Sequence, residues 1–325
     1  MPTLGADDAL AGCLQALGNQ TFEHFEVIVV DNSGAGRVQP NRARMRVIVN
    51  PANVGFGAAM NQAIRDSDSL YIAALNDDAE ADPAWLEILV AAAQTRPRAG
   101  MFASEVRLAG TGVLDSAGML IAADGSSKQR GHGEAPKNFA KLTSALCPSG
   151  SAALYRRKML DEIGLFDETF FLYCEDTDLG LRARRAGWEC AYVPGAIVEH
   201  RYSHSAGRAS ALKAYYVERN RLFTAIKNLP LRMLAQAPIY AAGRYFWHLI
   251  ALLKGEGKVA EFRQSGFSAA LLPFLVLRAH VAAIFSLPRL LAERRSIARS
   301  ARLSAREFRA LLAENSISIR QVAAL

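Results

Sequence analysis

An α/β fold, with a mostly parallel sheet flanked by helices and followed by a basic helical extension, is what this sequence predicts, on three observations. Short β-branched runs alternate with helical stretches through residues 1–204, the pattern of a sheet with crossover helices. Polar residues at Asp31, at Asn53 to Gly55 and at Asn76 to Asp78 close or follow these runs, and open α/β sheets gather ligands at the carboxyl ends of their strands. Charge is also divided. Residues 1–204 hold 19 Lys and Arg against 25 Asp and Glu, and residues 205–325 hold 19 against 6, so a front of net −6 precedes a back of net +13.

The elements follow in order. Ala9 to Leu17 predicts a helix, and Phe25 to Val30 a buried parallel strand ending at Asp31-Asn32-Ser33-Gly34. Met45 to Val49 is a second strand, followed by a loop with Asn50, Asn53 and Gly55 and a small-residue helix from Gly57 to Arg65. The apolar run Leu70 to Leu75 is stopped by Asn76-Asp77-Asp78, and Asp82 before Pro83 is expected to cap the next helix. Leu108 to Lys141, rich in Gly, Ser and charge, is expected to form irregular hairpins or a mobile loop over the site. After Cys147-Pro148-Ser149-Gly150-Ser151 come a strand at Ala152 to Tyr155 and a helix opened by Arg156, Arg157 and Lys158 that ends near Gly164. Glu175, Asp176 and Asp178 then open a helix directly behind the aromatic run Phe170-Phe171-Leu172-Tyr173. Arg182, Arg184 and Arg185 read as its solvated face. A strand at Ala191 to Val198 leads to His200.

Two acidic groups carry the chemistry. Adjacent carboxylates at Asp77 and Asp78 repel each other, which is tolerable in solvent or beside a bound divalent ion, and oxygen ligands suit Mg²⁺ or Mn²⁺; an acidic turn ahead of a helix explains them equally. Glu175 and Asp176 are stabilised by a helix N-terminus, but apolar neighbours raise carboxylate pKa values and favour a general base. His200, a lone histidine after a strand, reads as structural, with Arg201 and His204 as neighbours able to hold a diphosphate. Cys13, Cys147, Cys174 and Cys190 show no zinc spacing. With no signal-peptide pattern at the N-terminus, a reducing, cytoplasmic setting is expected.

Taken together, these motifs resemble family 2 glycosyltransferases of the GT-A fold, and most closely the bacterial rhamnosyltransferase-like branch. The resemblance is carried in order by Gln20-Thr21 with Phe25 to Asn32, Asn53-Val54-Gly55-Phe56-Gly57, Leu75 to Asp78, Ser149-Gly150 with Gly164 to Glu168, Phe171 to Arg182, and Val198-Glu199-His200. It implies a Rossmann-like sheet and a nucleotide-sugar-binding, catalytic domain over residues 1–204. Asp78 and His200 would hold Mg²⁺ or Mn²⁺. Thr3, Asp31, Asn53, Gly55 and Asp77 would face the nucleotide-sugar donor, and Ser149 and Gly150 the acceptor. Asp176 would deprotonate the acceptor hydroxyl in a single inverting displacement, with Glu175 positioning acceptor or base. Implied donor and acceptor are dTDP-rhamnose and a glycan or polyprenyl-diphosphate-linked sugar in cell-envelope polysaccharide synthesis. Two departures stand out. Asn76 occupies a place where many relatives carry an aspartate. The family's first buried strand precedes the equivalent of Pro2-Thr3, so about half a dozen apolar residues are expected before Met1 in the natural protein, to cover ladder groups left bare. A nucleotidyltransferase on a related sheet would show a glycine-rich basic loop that Pro2 to Leu10 lacks; a non-catalytic membrane scaffold would need neither acidic group.

Residues 205–325 predict helices at Leu212 to Leu229, Pro238 to Leu253, Ser268 to Leu291 and Ser304 to Ala313. Arg244 and His248 interrupt the first long apolar stretch, and Pro273, Arg278, His280 and Pro288 the second, so neither reads as a clean transmembrane span. Tyr245-Phe246-Trp247 and the arginines at 289, 294, 295, 299 and 302 suit an anionic membrane surface. A peripheral position on the inner face of the cytoplasmic membrane is therefore expected, the alternative being that these helices pack on the catalytic domain or on a second subunit. No element resembles a nucleic-acid reading helix or stacking sheet.

Overall fold

A computed structural model describes residues 1–5, 7–40, 43–201, 210–255, 262, 266, 268 and 270–324. His204 and the boundary at 204/205 lie outside the described residues. A first, wholly parallel sheet places β2 (Val27–Asp31) between β1 (Pro2–Thr3) and β3 (Met45–Val49). Thr3 and Val49 both stand opposite Asp31, so these strands end on one line. Helices α1 (Asp8–Gly18) and α2 (Phe56–Arg65) begin beyond that line.

The second sheet comprises β4 (Tyr71–Leu75), β5 (Ala79–Ala81), β6 (Ala99–Leu108), β7 (Leu114–Ser116), β10 (Ala152–Arg156) and β11 (Glu189–His200). Its order is β4-β10-β6-β11-β5, with β7 on β6. Here only β6 and β11 run parallel; β10, β5 and β7 are antiparallel to their neighbours. Parallel pairing thus belongs to the first sheet and mixed pairing to the second. Both faces are covered: Met101, Ala103, Ala153 and Tyr155 pack into one core and Phe102, Ala152 and Leu154 into the other. That is why these strands read as continuous apolar runs rather than alternating ones. Helices α1 and α3 (Trp85–Thr95) cover the second face, while α2, α4 (Arg157–Ile163) and α5 (Glu175–Arg185) cover the first.

Two local expectations are corrected and a third is resolved. Asp82 does not cap α3, which begins at Trp85; its carboxylate accepts from the Ala84 amide at 3.0 Å, forming a side-chain turn one step earlier. Of the two forms expected for 108–141, the hairpin is found: β7, and a hairpin of β8 (Met119–Ile121) and β9 (Ser127–Gln129), bury Leu114, Ala117, Met119 and Ile121 in the core. Arg182 is not on a solvated face. It is buried, pairs with Asp178 at 2.9 Å, and donates to the carbonyls of Ile163, Gly164 and Leu165, closing the end of α4.

Helices α6 (Ala211–Asn228), α7 (Leu231–Leu253), α8 (Leu271–Arg299), α9 (Ala305–Glu314) and α10 (Ile319–Ala324) follow. They dock on the α/β core: Phe308 and Leu312 of α9 enter its main cluster, and α6 is wedged between α5 and α8. Buried ion pairs lock the joint. Lys227 of α6 contacts Asp167, Asp178 and Glu293 at 2.6–3.0 Å. Arg244 of α7 contacts Asp124 at 2.6 Å and Glu218 at 2.7 Å. The prolines do not break α8, since Pro273 falls in its first turn and Pro288 is accommodated inside. By length and composition alone, α8 could cross a bilayer: its most apolar 18-residue window has a mean hydropathy of 1.7 and is 17% buried.

Candidate active site

One large cavity opens where the strands of both sheets end, lined by Thr3, Asn53, Gly55, Asp77, Asp78, Ser149, Gly150, Glu175, Asp176 and His200. Ten of the eleven residues singled out from the sequence therefore meet on one surface. Asp31 is the exception. It is fully buried, and its carboxylate accepts from the Ser33 and Val38 amides at 2.8 and 3.0 Å. These hydrogen bonds outweigh burial and hold its pKa below the usual range. Asp31 shapes the loop, and the adjacent Asn32 takes the wall.

Beside the first sheet, the Thr3 hydroxyl donates to the Gly5 carbonyl at 2.8 Å, and the Asn53 side chain accepts from the Gly55 amide at 2.8 Å. Gly55 has φ +87°, and a Cβ there would sit 2.4 Å from the Phe171 carbonyl oxygen. Only glycine lets this loop close on the aromatic segment, where the Phe56 amide donates to that same carbonyl at 2.7 Å. Burial raises the Asp77 pKa, although a hydrogen bond from Thr3 opposes the shift.

His200 ends β11, in register with Ala79 of β5, which brings its ring to the acidic triplet. Its Nε2 is 3.2 Å from Asp78 Oδ1, and its Nδ1 is 2.8 Å from Asp115 Oδ2. Asp115 also meets His132 Nδ1 at 3.0 Å through its other oxygen. Burial works against an imidazolium, but the Asp115 and Asp78 carboxylates win and raise the His200 pKa to about 9. Asp78 Oδ1 is buried and, despite its closeness to His200, satisfied by no well-aligned hydrogen bond. Arg201 is committed elsewhere, pairing with Glu80 at 2.7 Å.

Across the cavity, Glu175 and Asp176 open α5. The Gly150 amide donates to Asp176 Oδ2 at 2.8 Å, and the Thr177 amide to Oδ1 at 2.6 Å. Burial raises both carboxyl pKa values, and in Glu175 the neighbouring Asp176 charge adds to it, pushing Glu175 up to about 8. Glu175 Oε2 has no partner. Two like charges side by side disfavour double ionisation, and burial disfavours it further. Ser149 Oγ lies 2.9 Å from Ser151 Oγ beneath them.

The segment leading into these carboxylates is strained. Phe171, Tyr173 and Cys174 have φ of +64°, +71° and +66°, a region that non-glycine residues enter at a cost of about 1–3 kcal/mol each. Asn220 of α6 holds it there: its buried amide donates to the carbonyls of Phe170, Leu172 and Tyr173 at 2.8–2.9 Å. Arg219 adds bonds to the Thr169 and Phe170 carbonyls. Asn220→Ala is expected to lower stability by about 3 kcal/mol, since buried carbonyls lose their donor, and to lower turnover by releasing α5; denaturant melts and initial rates measure the two effects separately.

Asp115, His132 and Asn220 escaped sequence reading. Their partners lie 17 to 85 residues away, and no local spacing marks them.

Residues 1–164 match the family model described as glycosyl transferase family 2. The chain is 31% identical over 233 residues to the N-acetylglucosaminyl-diphospho-decaprenol L-rhamnosyltransferase of Mycobacterium tuberculosis, covering 62% of this chain and 76% of that protein. Among solved structures, it is similar to S. aureus TarS 1-349 in complex with UDP-GlcNAc, with TM-score 0.52 and 16% identity over 98% of this chain and 89% of the other. It is also similar to GalNAc-T7 with UDP, GalNAc and Mn²⁺, with TM-score 0.50 and 12% identity; that match covers 66% of this chain and only 44% of the other.

Proposed function

The chain belongs to glycosyl transferase family 2, in its rhamnosyltransferase-like branch, and we propose that it moves rhamnose from dTDP-rhamnose to a polyprenyl-diphosphate-linked sugar with inversion. One observation carries this reading above all. The Asp176 carboxylate, held by the Gly150 and Thr177 amides, lines the same cavity as Thr3, Asn53 and Asp77. The mycobacterial relative's name supports the choice of sugar and of lipid-linked acceptor.

Asp176 accepts the proton of the acceptor hydroxyl as that oxygen attacks the anomeric carbon, and the bond to the nucleoside diphosphate breaks on the opposite side. The Gly150 and Thr177 amides fix the carboxylate's orientation. Neutral Glu175 is able to donate a hydrogen bond to the acceptor. Asp77, close to Thr3, faces the donor's ribose.

The residues fit a divalent cation. Among the described residues no group of three His, Cys, Asp or Glu side chains forms a complete site, but Mg²⁺ and Mn²⁺ in nucleotide sites take one or two protein ligands and complete their shell on phosphate and water. Asp78, with its unsatisfied buried oxygen, and His200 Nε2 supply that pair. Asp115 fixes the opposite ring nitrogen, the usual support of a metal-binding imidazole. When bound, the ion neutralises charge on the diphosphate leaving group. Asp115→Asn is expected to weaken Mn²⁺ binding about 10- to 100-fold, read by calorimetry in the presence of dTDP; unchanged affinity would remove Asp115 from the site.

The reading is tested by screening nucleotide sugars for nucleoside-diphosphate release by detergent-extracted protein with Mg²⁺ or Mn²⁺, and with EDTA as control. EDTA-sensitive release from dTDP-rhamnose supports it. Release from a different donor alone reassigns the sugar. Working position at the inner membrane surface is part of the same proposal, supported by the apolar faces of α7 and α8 and by the basic C-terminal half.

A further inference from the structure

The catalytic cavity is larger than a donor site needs. Its volume is about 1100 Å³, whereas pockets for single drug-sized ligands span roughly 300–1,000 Å³. Beyond Asp176 its wall turns apolar and passes to the C-terminal helices, through Leu249 and Leu252 of α7 and Leu272, Leu275, Val276 and Leu277 of α8.

The outer faces of the same helices are apolar as well. On α7, Ile239, Phe246, Leu249 and Leu253 are 74%, 55%, 52% and 75% exposed. On α8, Phe274, Leu277, Ile284 and Phe285 are 58%, 62%, 62% and 83% exposed. Each set recurs at helical spacing and forms one stripe, and adjacent exposed stripes of this size mark an interaction surface. Leu249 and Leu277 belong to both surfaces: each lines the cavity and is more than half exposed. The cavity therefore opens onto the apolar face, not only into water. Exposed Arg295 and Arg299 follow the stripe on α8, as expected of a helix resting at an anionic headgroup layer, while Arg289 and Arg294 are held by Asp167, Glu293 and the Ile226 carbonyl.

From this continuity we infer that the passage between α7 and α8 is the binding groove for the isoprenoid chain of the lipid-linked acceptor, entered sideways from the membrane leaflet. The inference rests on the proposed lipid-linked acceptor and locates its chain. A chain entering past Leu249 and Leu277 meets Leu252, Leu272, Leu275 and Val276 on a wall that also carries Arg244, His248 and His280, and its diphosphate and sugar come to rest beside Asp176. Lys213, placed over the Tyr173 ring at 5.6 Å, lines the stretch where the diphosphate would lie.

The test is equilibrium binding of radiolabelled geranylgeranyl diphosphate, below its critical micelle concentration, against isopentenyl diphosphate, which carries the same diphosphate on one isoprene unit. Each further buried methylene adds about 0.8 kcal/mol, so even partial burial of the longer chain gives the full-length protein a preference of at least about tenfold. Leu252→Glu and Val276→Glu, both at half-buried positions, are expected to abolish the preference while dTDP binding shows that each variant is folded. Equal binding of the two diphosphates, or a preference that survives both substitutions, overturns the groove. Sugar donor is absent from this measurement, so its failure leaves transfer to another kind of acceptor standing, and a failed transfer assay leaves the groove standing.

Discussion

Asp176→Asn is expected to lower turnover about a thousandfold, the scale of losing a positioned general base, while nucleotide-sugar affinity changes little. The substitution is nearly isosteric, so the Gly150 and Thr177 amide contacts keep one acceptor oxygen. What is lost is the group that takes the proton. Glu175→Gln provides the contrast. Because Glu175, raised to about 8 by burial and the Asp176 charge, is already neutral near pH 7, its amide should retain most activity. The pH profile follows with a definite sign. Burial raises the Asp176 pKa, so activity should fall on the acid side at a pH above the ordinary carboxylate range, as protonation removes the base. Residual Asp176→Asn activity should lack that limb. A Glu175→Gln variant that is dead while Asp176→Asn stays active would reverse the two roles.

The second large effect concerns the joint between the α/β core and the helices behind it. Lys227 is nearly inaccessible and sits among Asp167, Asp178 and Glu293. Lys227→Met leaves Asp178 with Arg182, and Asp167 and Glu293 with Arg289, as their remaining cations; removing one partner of a buried ion pair typically costs about 3–5 kcal/mol. Chemical denaturation should show that loss as a shifted midpoint; a change below about 1 kcal/mol would mean that water already reaches the cluster. The same cluster sets an acid sensitivity. Lys227 outweighs burial at Asp167 and, together with Arg182, at Asp178, holding both pKa values below the usual range. Their contribution is therefore fully present above the unfolded carboxylate pKa near 4 and is lost as pH falls through the depressed folded values. In Lys227→Met this acid dependence should flatten.

Much of the site was legible because its residues punctuate strands. Asp77 and Asp78 interrupt an apolar run, Gly55 follows an Asx turn, and Glu175 and Asp176 sit at a helix start behind aromatics; each signal is local, and each element appears within a few residues of the expected place. Asp31 was legible in position but not in role, because only the folded loop shows both of its oxygens taken by backbone amides. Arg182 misled for a related reason. In sequence it belongs to a basic patch, and only the approach of the α4 C-terminus turns it into a buried donor. Asp115 and His132 lie in a stretch of weak periodicity whose order comes from contacts with distant strands. Asn220 illustrates the limit of dividing the chain by charge: it lies in the basic half, yet it holds the strained turn that leads into Glu175 and Asp176. The family relationship removes the reason for the nucleotidyltransferase and scaffold alternatives.

The most direct measurement follows labelled sugar from dTDP-[¹⁴C]rhamnose into organic-extractable lipid, with N-acetylglucosaminyl-diphospho-polyprenol as acceptor and Mg²⁺ or Mn²⁺ present. Label in the lipid fraction, absent with Asp176→Asn, is the predicted result. Label that stays on the nucleotide, or appears only as free rhamnose with folded protein and intact acceptor, would contradict the account.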